Sequence, residues 1–234
     1  SITGLIAKYL YPNADVRIEG FEKTNIPNNY MDVIISNVPF GNYPITDKAY
    51  PKKVTSAIHN YFFAKSLDKV RPGGIVMFIT SSYTMNSKDE TVRRYIMQRA
   101  DLLGAIRLPD SAFKGNAGTE VVTDIIVLKK RADNTPYAGE DFLSSPYKYV
   151  SGYNGAYINS YFDAHPEMVL GTASMEGGMY RGNNCRSDLC FRCDHLSGKC
   201  SGKYGGCGNH PRRHNKAFCA DDRFCGVYGK RCRR

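Results

Sequence analysis

The sequence predicts an α/β protein: a body built on a parallel sheet, followed by an irregular, cysteine-rich tail. Three observations carry this. Strand-like and helix-like segments alternate over the first 131 residues, that alternation fades between positions 132 and 179, and all eight cysteines lie between Cys185 and Cys232. At 234 residues there is room for one medium domain with an appendage. The three stretches are therefore read as a sheet-bearing domain (1–131), an extension or linker (132–179) and a basic tail (180–234).

The elements follow in order. "ITGLIAKYLY" (2–11) places apolar residues at helical spacing, and "ADVRIEGF" (14–21) alternates as a strand does. "MDVIISN" (31–37) is a continuous apolar run, the pattern of a strand covered on both faces. "TSAIHNYFFAKSLDKV" (55–70) reads as a helix stopped by the breaker "RPGG", and "GIVMFITS" (74–81) as a second buried strand. "KDETVRRYIMQRA" (88–100) is a helix with Ser87 as candidate N-cap and Glu90 three residues later. "LLGAIRLP" (102–109) and "EVVTDIIVLKKR" (120–131) complete the strands. This alternation implies a parallel sheet with an open edge. Beyond it, "RADNTPYAGEDFLSSPYKYVSGYNG" is turn-rich, and "AYINSYFDAHPEMVLG" offers at most one short helix.

Charge divides as sharply as cysteine does. Thirteen Lys and Arg face four Asp and Glu after position 179, so the tail holds +9 of the chain's net +10. A basic tail points to an anionic partner, nucleic acid first. The longest apolar runs are too short to span a bilayer, and the start shows no cationic, apolar, cleavable leader. No membrane partner and a soluble, cytoplasmic protein are the expectation. A first residue of Ser rather than Met suggests a fragment.

The strand 31–37 runs straight into Asn37-Val38-Pro39-Phe40-Gly41. In open α/β sheets ligands bind beyond the carboxyl ends of strands, which is where this turn falls. Its residues suit one task, holding a planar ring that bears an amine. The Asn37 side-chain oxygen can accept one amine hydrogen. The Val38 carbonyl can accept the other, with Val38 kept extended by Pro39. Phe40 can stack on the ring face, a contact contributing roughly 1–3 kcal/mol per base. Gly41 lets the backbone leave without a side chain in the way. A strand exit closed by a proline is the plainer reading of the same four residues.

"NVPF" resembles the Asn-Pro-Pro-Tyr/Phe motif of adenine-specific N6 DNA methyltransferases. The segments "FFAKSLDKVRPGGIVMFITS", "RADLLGAIRLPDSAFKGNAGTEVVTDIIVLKKR" and "YFDAHPEMVLG" are similar in order and wording to the methylase part of helicase–methylase fusion proteins of bacterial mobile elements, over residues 1–171. The resemblance implies the C-terminal five strands of a seven-stranded, Rossmann-like class I methyltransferase sheet. It also implies S-adenosylmethionine as methyl donor, an adenine flipped out of DNA, and a helicase domain or missing N-terminal part of the same protein as partner. On that likeness Asn37 and the Val38 carbonyl hold the adenine N6, and Pro39 and Phe40 complete the clamp. Two acceptors on the amino hydrogens keep the nitrogen lone pair available for in-line attack, so orientation lowers the barrier. Val38 stands where the motif has its first proline.

Two parts that the resemblance calls for are not in this sequence: the Gly-rich loop after the first strand, and the acidic end of the second. Glu22, in the loop 19–29, is the best remaining polar candidate for the cofactor. Without the first two strands, the edge along "DVIIS" is an aggregation hazard, which the segment 14–21 is expected to cover by pairing with it. Methyl transfer is therefore expected of the parent protein, and little of it from this chain alone.

Other positions speak more softly. His59 sits at the polar–apolar border of its helix, where a core or surface histidine is the ordinary reading. Lys114 and Thr119, in "FKGNAGTEVVTD" (113–124), are candidates for DNA phosphate, or simply parts of a solvated loop. In the tail, Cys190-Phe191-Arg192-Cys193 is a C-x-x-C knuckle with Cys185, Cys200, Cys207 and His210 nearby. These could hold zinc in a tetrahedron, since so aliphatic-poor a segment builds no core without a staple. Disulfides and an unordered chain stay open beside zinc. Arg212 and Arg213 are candidates for phosphate contacts that salt would weaken. A zinc-stabilised, nucleic-acid-binding tail on a non-catalytic methylase remnant is the competing function.

Overall fold

The computed structural model describes residues 2–118, 120–151, 154–174, 184–186 and 228–230. Helix α1 (Ile2–Leu10) precedes strand β1 (Met31–Asn37). A helical segment broken into α2 (Lys52–Thr55) and α3 (Ile58–Lys69) leads to β2 (Val70–Ser81). Next come α4 (Tyr83–Asn86), α5 (Thr91–Met97), β3 (Ala100–Leu108), α6 (Lys114–Ala117) and β4 (Thr123–Lys130). The hairpin β5 (Tyr147–Ser151) and β6 (Asn154–Tyr157) precedes α7 (Tyr161–Ala164). The short strands β7 (Thr172–Ser174) and β8 (Asn184–Arg186) pair with each other, and β9 (Tyr228–Lys230) is last.

The main sheet has the order β3-β4-β2-β1-β9. Only β1 and β2 are parallel neighbours; β4 runs antiparallel to both β2 and β3. The expected all-parallel sheet is thus a mixed one. The reason lies in the connections: β1 reaches β2 through a crossover helix, whereas the loop from β3 to β4 contains only short turns of helix, which suffices for antiparallel neighbours.

Opposed residues share a face, and the register defines two. Ile34, Val76 and Leu128 stand in one row and Ser36, Phe78, Ile126 and Ala105 in another, all buried. Helix α3 covers this face with Tyr61, Phe62, Phe63 and Leu67, the Phe63 and Phe78 rings lying 4.9 Å apart. On the opposite face Val33, Ile75, Met77, Ile79, Ile125 and Val127 are half-buried and Ile35 is exposed. The run 31–37 is therefore covered on one side only among the described residues, not on both.

Four residues, Arg71 to Gly74, leave the ladder between the pairs Met31↔Val70 and Val33↔Ile75. Gly73 has φ +79°, and a Cβ on Gly74 would stand 2.6 Å from the Asp32 carbonyl oxygen, so this excursion requires both glycines. The breaker "RPGG" is thus part of β2. Helix α5 also starts later than its candidate cap Ser87. Asp89 accepts from the Thr91 N–H at 2.9 Å, while Glu90 pairs with Arg94 at 3.0 Å. A carboxylate two residues before Thr91 displaces the serine as the capping group.

The segment 14–21 is irregular and runs into a short 3-10 helix (Phe21–Lys23) rather than forming a strand. The edge it was expected to cover is taken by β9, paired as Val33↔Lys230, Ile34↔Gly229 and Ile35↔Tyr228. Removing residues 228–234 should therefore bare the β1 edge. Static light scattering at equal concentration checks this: the truncated chain is expected to aggregate faster than the full one.

The described residues of the segment 132–179, read from sequence as an extension or linker, pack into the core. Phe142, Asn159 and Tyr161 are almost fully buried. The Ala105 N–H donates to Tyr161 Oη at 3.0 Å, and the Leu170 N–H donates to the Arg107 carbonyl at 2.9 Å. Buried Arg93 donates from Nε to the Leu143 carbonyl at 2.7 Å. Among the described residues no helix is long and apolar enough to cross a membrane.

Candidate active site

Strand direction fixes one rim of the sheet. Because β4 runs against its neighbours, its first residues lie beside the carboxyl ends of β2 and β3, as Ser81↔Thr123 and Leu108↔Thr123. Asn37 is opposite Ile79, so residues 37–40 and the loop 109–122 leave the same rim.

At this rim the Val38 N–H donates to the Ile79 carbonyl at 3.0 Å, extending the ladder one residue past β1. The Val38 side chain is buried in the core, Pro39 is half-buried, and Phe40 is 39% exposed. The loop is thus nailed down at Val38 and presents an aromatic ring to solvent two residues later. Asn37 is half-buried with its side-chain oxygen inside. An incoming amine reaches that oxygen only once the Asn37 side chain has turned.

Behind the loop, the second residue of α3 is His59, 6% exposed. It is a core histidine, the buried one of the two ordinary readings, and lies inside rather than at the helix border. Burial is the main influence on its ring and pushes the pKa down to about 4, while a hydrogen bond with the Gly41 backbone opposes that shift. The unfolded chain binds a proton near pH 6.5 and the folded chain does not until about pH 4. The stability His59 contributes is therefore present above pH 6.5 and lost as pH falls toward 4, by about 3 kcal/mol. Urea unfolding at pH 7 and pH 4.5 checks this, with a smaller loss expected in His59→Gln.

The connection from β1 to α3 is held by charged and aromatic groups. Tyr61 Oη donates to Asp47 at 2.7 Å, and Tyr50 Oη donates to Asp68 at 2.7 Å. Burial and the adjoining carboxylates push both phenols far above their usual range. Lys65 donates to the Glu22 carbonyl at 3.0 Å, its ammonium 5.3 Å from the Phe21 ring centre. Glu22 thus sits in a loop anchored to α3. A Cβ on Gly20 would come within 2.3 Å of the Glu22 carboxylate, which fills the space beside the loop's own glycine. Among the described residues no loop leaving the carboxyl rim is a glycine-rich strand-to-helix turn.

Lys114 opens α6 on the rim loop and is ion-paired with Glu120 at 2.5 Å. Its ammonium is mostly exposed but already has a carboxylate partner. Thr119, Arg212, Arg213, Cys190, Cys193, Cys200, Cys207 and His210 lie outside the described residues, as does the side chain of Cys185. Among the described residues no group of three or more His, Cys, Asp or Glu side chains is arranged to hold a metal. A cavity of about 210 Å³ lies over β3 and β4, lined by Leu103, Gly104, Ala105, Ile106, Ile125, Val127 and Met168, and residues 37–40 take no part in it.

The rim holds one feature the sequence reading missed. Arg107 donates from Nε and Nη2 to the two Asp124 oxygens at 2.9 Å each, and again from Nη2 to Asn86 Oδ1 at 2.9 Å. Asn86 Oδ1 also accepts from the Asn159 N–H at 3.1 Å, and the Arg107 guanidinium lies 4.1 Å from the centre of the Phe162 ring. The group is buried and joins four segments at the carboxyl rim: β3, β4, α4 and the chain around Asn159 and Phe162. A charged residue inside each of two apolar strands is the sequence signal for such a pair.

Comparisons with known proteins bear on this site. Residues 10–113, which include β1, α3, β2 and β3, match the family described as "Eco57I restriction-modification methylase". Over 155 residues the chain is 33% identical to "Defense against restriction protein B" of Escherichia phage P1. That alignment takes in 62% of this chain and 7% of the phage protein, so the chain spans a small part of a far longer relative. Among solved structures, a candidate class I S-adenosylmethionine-dependent methyltransferase from Listeria monocytogenes aligns with TM-score 0.41 and 24% identity, over 52% of this chain and 38% of that one. The "Type I restriction enzyme EcoKI M protein" aligns with TM-score 0.40 and 18% identity, over 61% and 31%. The family match supports a methyltransferase of the restriction–modification kind.

Proposed function

We propose that this chain is the base-gripping part of a DNA adenine-N6 methyltransferase, working with a cofactor-binding part outside its 234 residues. The observation that carries the reading is the exit of β1. A sheet-tied Val38 is flanked by a half-buried amide at Asn37 and an exposed ring at Phe40, on the carboxyl rim. An aromatic offered to solvent beside an amide acceptor suits a flipped base: the ring stacks while the amide and the Val38 carbonyl take the amino hydrogens. Holding a planar amine in one orientation is a positioning role, and the clamp proposed here uses neither acid nor base. S-adenosylmethionine is the donor this reading calls for. Its binding is assigned to the complementary part, where the Gly-rich loop that such enzymes use would lie. Duplex DNA and that part, with or without a helicase domain, are the partners.

Phe40→Ala tests the grip without needing catalysis. A duplex carrying one adenine opposite an abasic site makes flipping cheap. Loss of one stacking contact, roughly 1–3 kcal/mol, should raise Kd about 5- to 150-fold, measured by fluorescence anisotropy at fixed salt. A Kd unchanged by Phe40→Ala would remove the aromatic from the reading.

A further inference from the structure

We propose that the β5–β6 hairpin is a second nucleic-acid surface, a tyrosine platform on which the unpaired bases of single-stranded DNA stack. It uses none of the residues of the loop 37–40 and stands whether or not that loop grips an adenine.

The register builds the platform. Tyr147 is opposite Tyr157, Lys148 opposite Ala156 and Tyr149 opposite Gly155. Side chains alternate along a strand, so Tyr147, Tyr149 and Tyr157 share one face while buried Ala156 marks the other. The Tyr147 ring centre lies 5.8 Å from that of Tyr149 and 5.4 Å from that of Tyr157, both edge to face. Each ring is thus held by its neighbour. Even so, Tyr147 is 51% exposed and Tyr149 74%. A lone exposed ring is ordinary, but a cluster of touching rings on an outer face marks an interaction site. Gly155 keeps the cluster open, since a Cβ there would stand 2.9 Å from the Tyr147 ring.

Residue type and charge select the partner. Among the described residues this face carries tyrosines and a glycine, with no aliphatic side chain. Flat rings match flat bases, and base–aromatic stacking tolerates any sequence. Lys88 supplies a cation: its ammonium lies 5.9 Å from the centre of the Tyr157 ring, and the residue is exposed. The Lys148 ammonium is already paired with Asp163, so a phosphate beside the stacked bases meets Lys88 first. A duplex hides its base faces in its own stack, which leaves the single strand as the form these rings can hold.

The root of the hairpin sets this surface on the carboxyl rim. Ser145 Oγ donates to the Met85 carbonyl at 2.6 Å, and Asn159 Nδ2 donates to the same carbonyl at 2.8 Å. Both ends of the hairpin are therefore tied to α4, the turn of helix that follows β2.

The test uses the full chain with an oligothymidylate and an abasic oligonucleotide of the same length and charge. Thymine has no exocyclic amine, so the adenine clamp is not engaged. The ratio of the two Kd values, from fluorescence anisotropy at fixed salt, separates base stacking from attraction to the basic tail. The wild-type chain should favour the oligothymidylate. Tyr149→Ala removes the most exposed ring and should lower that preference about tenfold. Tyr149→Phe keeps the ring and should restore it to within about twofold. Lys88→Gln should reduce the slope of log Kd against log salt by about 0.7, the share of one phosphate on a single strand. A preference unchanged by Tyr149→Ala overturns the inference. If Phe40→Ala lowers it instead, the stacking belongs to the loop 37–40, and the adenine-holding reading stands without the platform. A Tyr149→Phe chain as weak as Tyr149→Ala also overturns it, because the hydroxyl rather than the ring face would then be the contact. An unchanged salt slope overturns the role of Lys88.

Discussion

Asp124→Ala should cost about 3–5 kcal/mol of folding stability, the range for a buried ion pair broken on one side. Arg107 is 5% exposed and Asp124 is fully buried, so the variant leaves a guanidinium in the core without its counter-charge. Water does not reach it, and Asn86 Oδ1 remains as a single neutral acceptor already shared with the Asn159 N–H. A domain of this size has about 5–15 kcal/mol in total, so the loss is a large share. At about 2–4 °C per kcal/mol the melting temperature should fall by roughly 6–20 °C. Replacing both partners by Arg107→Met and Asp124→Leu should recover much of the loss, since an apolar pair leaves no orphaned charge. Thermal melts of the two variants and wild type check the ordering: the double variant above Asp124→Ala, and both below wild type. If the single variant melts within a degree of wild type, the pair does not hold the rim together.

Asn37→Ala should abolish discrimination for the adenine amino group. Wild-type chain is expected to bind a duplex with an unpaired adenine about tenfold more tightly than one with unpaired purine, which lacks the amine. That ratio corresponds to one good hydrogen bond formed away from water. With Asn37→Ala the two Kd values should converge, while binding to both remains, because stacking on Phe40 does not depend on the amine. In the assembled enzyme the same substitution should lower methyl transfer by about a hundredfold or more, the usual scale for removing one preorganised hydrogen-bonding group. The buried position of Asn37 Oδ1 adds a kinetic expectation. Base capture requires the side chain to turn, so stopped-flow quenching of a fluorescent base should show a second, concentration-independent step after encounter.

How much of this was legible in the sequence follows from what apolar patterning encodes. The runs at 31–37, 74–81, 102–109 and 120–131 became β1 to β4 because continuous apolar residues specify burial. Such runs say nothing about direction, and so the reversal of β4 was invisible. "ADVRIEGF" alternates, yet the β1 edge it was expected to pair with is taken: β1 is bordered by β2 on one side and β9 on the other, so alternation alone made no strand. The segment 132–174 is anchored by scattered residues, chiefly Phe142, Asn159, Tyr161 and Phe162, set among turn formers. No periodicity links them, and only the structure shows them docked. Of the candidate site, Asn37, Val38, Pro39 and Phe40 stand out as residue types at a strand end. The inward turn of the Asn37 oxygen and the burial of His59 depend on packing against α3, which no four-residue motif carries.

The most direct test of the adenine clamp is photo-crosslinking. A duplex bearing 8-azidoadenine opposite an abasic site is bound to the full chain, irradiated and digested, and the adduct is mapped by mass spectrometry. The clamp predicts an adduct within residues 37–40, on Phe40 first, that disappears when excess unmodified adenine duplex competes. Adducts confined to residues 180–234, with none in the loop that ends β1, would contradict it.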